Sequence, residues 1–413
     1  MDFQLSDDQR ALRSGMRDLL GAVFDRDRLR AAVERDGALD RSLWRELGAA
    51  GFFALRLPED EGGVGLGLPE AVLLFEEAGR ALLPGPLVAT HLAAGRVKGA
   101  AEGEAVVTAV DGMLPVAHLA EADAVLLVGG EAVRAREARQ APQAPEAREL
   151  PDGRTLTGEA LRAFLAAARP VRSMDPLTPL HRAPAGRVPT GRPPTAEGGR
   201  AASERARAEA DRAPAASERT RADTDRAPVG SEHPGADTER VAGAVARTPA
   251  HAGRLRFEAA LLTAAEQLGS AVRTTEAAVQ HARDREQFGS PIGSFQAVKH
   301  LCADMLARTE PARAAVYAAA LTGDPLEIAA AKLLADEAAV RNARDCLQIH
   351  GGMGFTWEAD VHLHLKRAWL RAASWLTGAA AEEMLAAGLV AAGPLPRSSA
   401  AYGRPVPEAG GEG

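Results

Sequence analysis

The spacing of apolar positions predicts a helical start to the chain. Leu12, Met16 and Leu19 recur at helical spacing behind Ser6 and Gln9, which are three residues apart as the two ends of a capping box. A Pro- and Gly-rich loop at 57–67 interrupts this pattern. Residues 1–103 are therefore predicted to form a helical N-terminal domain. Further helices are expected around 38–50 and 68–82.

Residues 104–182 carry the pattern of short strands instead. Runs at 105–110 and 124–128 are rich in valine and leucine and are bounded by turn residues, and another strand is expected within 171–180. The pattern predicts a small, reduced, β-barrel-like middle domain.

Residues 183–250 have almost no large apolar side chains. The segment 202–214 returns as 216–228, a repeat of fourteen residues with recurrent proline. A fourteen-residue repeat could be two heptads, but the apolar seam of a coiled coil is missing. A disordered insertion is expected, because such a segment cannot bury enough surface to offset its ordering entropy.

Residues 251–392 return to helical periodicity. Four long amphipathic helices are expected there, which predicts a C-terminal four-helix bundle, followed by a disordered tail at 393–413. The predicted fold class is mainly α with a small β domain. The expected helices cover 254–283, 295–320, 326–349 and 358–388.

Composition and charge narrow the function. The 413 residues carry a net charge of −7 and show no basic stripe, which argues against nucleic-acid binding. Two cysteines do not suggest a disulfide framework, and no metal site is expected. The acidic N-terminus is unlike a signal peptide, and no apolar run approaches the ~20 residues of a membrane span. A cytoplasmic protein is expected.

Two glycine-broken runs carry the most specific chemistry. The first is Arg-Glu-Gln-Phe-Gly at 285–289, and the second is Gln-Ile-His-Gly-Gly-Met-Gly-Phe at 348–355. Each places a cationic or amide side chain beside bare backbone. That combination suits a nucleotide pyrophosphate, because close approach needs glycine and the charge needs arginine.

Together with their helical setting, these runs resemble the flavin-binding half of the acyl-CoA dehydrogenase family. The opening at 2–9, the loop at 57–67 and the segment 171–180 are similar to that family too. The resemblance implies an FAD-dependent enzyme that oxidises the α,β bond of an acyl-CoA or related thioester. It also implies a homo- or hetero-oligomer with the flavin site shared between subunits, and an electron-transfer flavoprotein as electron acceptor.

Carried over by position, the first run would contact the flavin's pyrophosphate and adenosine side, and the second would supply the other subunit's contribution. The alternative is that Arg285 satisfies the final carbonyls of its helix and that the glycines are ordinary turn residues. The cofactor-binding residues implied are Arg285, Gln287, Phe288, Gln296, Gln348, Ile349, His350, Gly351 and Gly352.

The resemblance leaves the catalytic base open. The chemistry needs a positioned carboxylate to take a weakly acidic α-proton. One family position for this glutamate falls here on Trp375, and a second falls on Ala259. Glu258 adjoins the second position but is turned by ~100° on a helix, and we expect it to be a solvated helix-start acid.

Glu266 is the remaining candidate. It lies two helical turns beyond Ala259 and interrupts an apolar stretch, where a carboxylate would have a raised pKa. Alternatively, it is a surface glutamate paired with Arg273 or Arg256, since periodicity alone does not settle which way it faces.

The middle domain also departs from the family pattern. The Thr-Glu-Pro loop and the Trp-x-Ile-Thr-like strand that hold the flavin ring in the family are absent from this sequence. Two functions therefore stay open: an acyl-CoA dehydrogenase with Glu266 as base, or a non-catalytic structural subunit of a heteromeric dehydrogenase that lends part of a partner's flavin site.

Overall fold

The computed structural model describes residues 4–112, 114–128, 154–184 and 253–392. The predicted tail, and the predicted insertion from residue 185 on, lie outside these ranges. The helices are α1 Asp7–Val23, α2 Arg26–Glu34, α3 Arg41–Ala49, α4 Leu68–Arg80, α5 Leu87–Ala93, α6 Gly158–Ala167, α7 Arg254–Asp284, α8 Gln296–Thr322, α9 Pro325–His350, α10 Val361–Ala372 and α11 Gly378–Ala392. The strands are β1 Val107–Asp111, β2 Val116–Ala117, β3 Ala124–Val128, β4 Arg154–Leu156, β5 Arg169–Val171, β6 Leu180–Arg182, β7 Glu286–Gln287 and β8 Ser290–Pro291.

The first helix begins as its sequence predicts. Ser6 Oγ accepts a hydrogen bond from the Gln9 amide, and Gln9 Oε1 accepts one from the Ser6 amide, both at 3.1 Å. The capping box is confirmed, and the apolar stripe behind it buries Met16 and Leu20.

The middle of the chain forms open sheets. Strand β3 pairs in parallel with β1 and antiparallel with β4, while β6 lies between β2 and β5. Within the described ranges these strands close no barrel, so the barrel-like expectation is wrong there. The strand expected within 171–180 is also wrong: a turn at Asp175 separates β5 from β6, because its carboxylate accepts bonds from the Leu177 amide and the Thr178 hydroxyl.

The last expected helix, 358–388, is two helices with a break at 373–377. The Ser374 hydroxyl donates back to Leu370 O, and Thr377 Oγ1 accepts from the Ala380 amide at the start of α11. Such local side-chain bonds compete with the helical ladder. Trp375 lies between them with φ 62°, a conformation that bulky side chains rarely adopt.

Helices α4 and α7 bring the N-terminal and C-terminal helices into one hydrophobic core, which includes Trp44, Phe75 and Leu262. Two glycines permit this contact. A Cβ on Gly269 would lie 1.8 Å from the carbonyl oxygen of Glu76, and a Cβ on Gly79 would lie 2.0 Å from that of Glu266. The helix backbones therefore touch at the turn that carries Glu266. No helix in the part of the chain that the structure describes is long and apolar enough to cross a bilayer.

Candidate active site

A cavity of about 140 Å³ lies where the N-terminal helices, the sheets and the C-terminal helices meet. Apolar walls come from α5, from the turn after β1 and from the end of α10. Polar groups come from β1, α7 and α10. The lining includes Leu87, Thr108, Asp111, Glu266, Arg367, Leu370, Arg371 and Trp375.

Glu266 lies on the wall of this cavity and is 5% exposed. Its Oε1 accepts a hydrogen bond of 2.7 Å from Arg371 Nη2, so neither Arg273 nor Arg256 is its partner. Burial raises the pKa of Glu266 above its ordinary value, and the Arg371 charge opposes that rise. The residue is a buried carboxylate held in one orientation, as a proton acceptor requires.

Arg367 lies one turn before Arg371 on α10. Its Nε donates to the Asp175 carboxylate and its Nη1 donates to Leu83 O at 3.1 Å. Burial would raise the pKa of Asp175, but Arg367 and Thr178 hold it below its usual range. This ion pair therefore ties the turn between β5 and β6 to α10 beside the cavity.

Neither family position for the base holds an acid. Ala259 is fully buried in the core, and Trp375 lines the cavity. Arg256 Nε donates to Trp375 O at 2.6 Å and lies 3.3 Å from Asp111 Oδ2. A second carboxylate, Asp111, is therefore close to the Trp375 main chain. Sequence reasoning missed it, although an acid directly after a buried strand was the available signal.

Glu258 differs from expectation. It is not a solvated acid, because its side chain is 12% exposed and accepts hydrogen bonds of 2.9 Å from both Arg56 and Arg254. Although burial opposes it, these two arginines lower the pKa of Glu258. The residue joins α7 to the loop after α3 and lies away from the cavity.

The first glycine run forms an exposed hairpin, β7 and β8. Phe288 at its tip is 94% exposed with φ 57°. The side chains of Arg285 and Gln287 are exposed too, and among described residues the Arg285 guanidinium donates no hydrogen bond. Gln296 is the exposed first residue of α8, and among the described residues no side chain caps the start of this helix.

The second run begins where α9 ends. Gly351 has φ 60° and ψ −140°, a conformation that is essentially restricted to glycine, and a Cβ on Gly352 would meet open space. Gln348 is exposed, but Ile349 is buried in a core cluster. His350 stacks on His281 of α7 with ring centroids 4.0 Å apart, so both runs lie at the same end of one protomer.

These features fit the phosphates of a dinucleotide. An open arginine, an uncapped helix start and a bare glycine turn are the groups that bind phosphate oxygens. In the cavity wall, β1 contributes Thr108, whose hydroxyl donates to Ala117 O, and Asp111.

Comparison with known proteins agrees with this arrangement. Residues 6–99 match the N-terminal domain of acyl-CoA dehydrogenases, and residues 253–387 match their C-terminal domain. Acyl-CoA dehydrogenase IpdE2 of Mycobacterium tuberculosis is 31% identical over 344 residues, which cover 82% of this chain and 84% of IpdE2.

Two solved structures show the same fold. The ChsE4–ChsE5 complex from Mycobacterium tuberculosis aligns with a TM-score of 0.63 and 20% identity, over 96% of this chain and 100% of that one. PigA with FAD and proline aligns with a TM-score of 0.65 and 17% identity, over 95% and 100%.

The fold and the site thus define a flavoprotein oxidoreductase with helices in its N-terminal and C-terminal parts and small sheets between them. The chain belongs to the acyl-CoA dehydrogenase family.

Proposed function

We propose that this chain is an FAD-dependent acyl-CoA dehydrogenase in which Glu266 accepts the α-proton of an acyl thioester. The observation that carries the proposal is the position of Glu266, a buried carboxylate on the wall of the cavity where N-terminal helices, the sheets and C-terminal helices meet.

The surroundings of Glu266 suit this role. A thioester α-proton is weakly acidic, so its acceptor works best in a site poor in water. Leu87, Leu370 and Trp375 supply apolar walls, and Arg371 balances the charge of Glu266 before the proton arrives. FAD, when bound, accepts the hydride that leaves Cβ.

The cofactor's pyrophosphate and adenosine would be held by Arg285, Gln287, Phe288 and Gln296 together with the turn at 348–352. These groups are exposed in a single protomer, apart from Ile349, which is buried, and His350, which is half-buried. A second protomer would therefore complete the site, which supports an oligomer with a shared flavin. An electron-transfer flavoprotein would take the electrons onward.

The absorption spectrum of the purified chain tests this proposal. We expect bound flavin whose absorbance bleaches when an acyl-CoA is added. Glu266→Gln should keep the flavin and lose the bleaching, because Gln holds the shape but accepts no proton. Glu382→Gln, on the exposed face of α11, is the matched control and should bleach normally. Normal bleaching in Glu266→Gln would remove Glu266 from the mechanism.

A second candidate function has its own support. Trp375 and Ala259 stand at both family positions for the base, which favours a non-catalytic subunit in a heteromeric dehydrogenase. The related ChsE4–ChsE5 structure is likewise a complex of two different chains. This alternative predicts a colourless chain that acquires flavin only when mixed with a second dehydrogenase subunit. Flavin that bleaches in the isolated chain would exclude it.

A further inference from the structure

Arg371 is a buried cation whose hydrogen-bonding capacity is mostly unused. Arginine carries five N–H donors. Within the described ranges the guanidinium of Arg371 donates one hydrogen bond, to Glu266 Oε1, and its Nη1 has no partner, although the residue is 6% exposed. Arg367 donates two hydrogen bonds, to Asp175 and to Leu83 O, although its Nη2 likewise has no partner among the described residues. A buried guanidinium with unmade bonds next to a cavity indicates a ligand oxygen.

The main chain of Arg371 is held in place from behind. Lys332 Nζ donates to Arg371 O at 3.1 Å, and Gln267 Nε2 donates to Ala368 O at 3.0 Å. Both side chains also bond to Asp336. The end of α10 is thus fixed by a buried network, which holds Arg371 in the wall of the cavity.

Charge balance indicates what kind of oxygen belongs there. The negative charge of Glu266 already balances Arg371, so the resting pair has room for a neutral acceptor such as a carbonyl oxygen. When Glu266 takes a proton it becomes neutral, and the charge on Arg371 is then uncompensated. At that moment an oxygen that gains negative charge beside Arg371 restores the balance.

We propose, resting on the acyl-thioester function proposed above, that Arg371 is a catalytic residue that binds the thioester carbonyl oxygen and stabilises the enolate. In this step the Cα–H bond breaks and the proton passes to the Glu266 carboxylate. The electron pair of that bond moves into a Cα–C double bond, and the former carbonyl oxygen gains the negative charge. The total charge of Glu266, Arg371 and the thioester is the same before and after.

Acetoacetyl-CoA is a suitable probe, because its enolate absorbs in the near ultraviolet and forms without any flavin reduction. A pH titration of the bound probe gives the pKa of the bound ligand. We expect Arg371→Gln to raise this pKa by about one unit or more, a tenfold loss of enolate. Arg371→Lys should restore part of it. Arg341→Gln, an exposed arginine on α9, is the control and should change nothing.

Glu266→Gln gives a prediction of opposite sign. It removes the carboxylate that competes for Arg371, so the pKa of the bound probe should fall. A merely structural Arg371 would not produce opposite shifts in the two variants. An unchanged pKa in Arg371→Gln, shifts in the same direction in both variants, or failure of the wild-type chain to bind the probe would overturn the inference.

The design also separates this inference from the proposed function. If Arg371→Gln does not fold, which circular dichroism detects, the sign of the shift in Glu266→Gln decides alone. Enolate stabilisation without flavin bleaching would remove the proposed dehydrogenation by this chain and leave the role of Arg371 intact. Bleaching without enolate stabilisation would do the reverse.

Discussion

The Lys332–Asp336 ion pair on α9 is buried, so removing one of its partners should cost more stability than breaking a surface pair does. Lys332 is fully buried and Asp336 is 7% exposed. The Nζ donates to Asp336 Oδ2 and to Arg371 O, and Gln267 Nε2 donates to Asp336 Oδ1 at 2.9 Å. Every polar contact of the pair is therefore made inside the protein.

Lys332→Met should lower the free energy of unfolding by about 3–5 kcal/mol, because it leaves a buried carboxylate without its cation. In the variant, Asp336 should take up a proton to avoid the uncompensated charge. The folded-state pKa of Asp336 would then lie above its unfolded value. Stability lost at neutral pH should accordingly return as the pH falls below that raised pKa.

Urea denaturation at pH 5 and pH 8 measures this effect, with Lys332→Met/Asp336→Asn as the matched variant. The asparagine removes the charge and still accepts from Gln267, so the double variant should recover most of the lost stability and lose the pH dependence. A deficit under about 1 kcal/mol in the single variant, or a double variant no more stable than the single one, would refute the argument.

Three further outcomes follow from the packing and charges. Burial lowers the pKa of His364 to about 3, so the unfolded state binds a proton there at a higher pH than the folded state does. Between pH 6.5 and about 4, the free energy of unfolding of the wild type should therefore fall by about 1.4 kcal/mol per pH unit more than that of His364→Gln, which urea denaturation measures. Gly269→Ala should lower the free energy of unfolding by about 1–3 kcal/mol, because the new Cβ meets a carbonyl of α4. Gly15→Ala has open space around it and should raise the free energy of unfolding by about 0.5–1 kcal/mol. Thermal melting of both variants measures these changes. Ala259→Glu combined with Glu266→Gln should be unstable and should not restore bleaching, because position 259 lies in the apolar core; restored bleaching would place the reaction at the family position.

Local patterns were enough to predict the helices whose ends and faces are set by near neighbours. The capping box depends on Ser6 and Gln9 alone, and the structure contains it. The break at 373–377 was not predicted, because Ser374 and Thr377 stop the helix through side-chain bonds that apolar periodicity does not report.

Such patterns could not predict contacts between residues that are far apart in the sequence. Helical spacing marked Glu266 as an acid in an apolar stretch, but its partner Arg371 lies 105 residues away, on a helix whose end was misplaced. Glu258 was taken as solvated because its partner Arg56 comes from a loop 202 residues earlier. The same limit hid Asp111, which is linked to Trp375 through Arg256.

The proposed base lies on a different structural element from a base at position 375. A glutamate at position 375 would sit in a turn between helices, whereas Glu266 lies inside α7, about 10 Å along the helix from Ala259. At that turn α4 and α7 touch backbone to backbone through Gly79 and Gly269, so the backbone that carries Glu266 has little freedom to move. The pKa of a base on such a rigid element is adjusted by its hydrogen-bonded partner, which here is Arg371. On the proposed assignment, the Glu266–Arg371 pair, and not a mobile loop, therefore sets both the acidity and the geometry of the site.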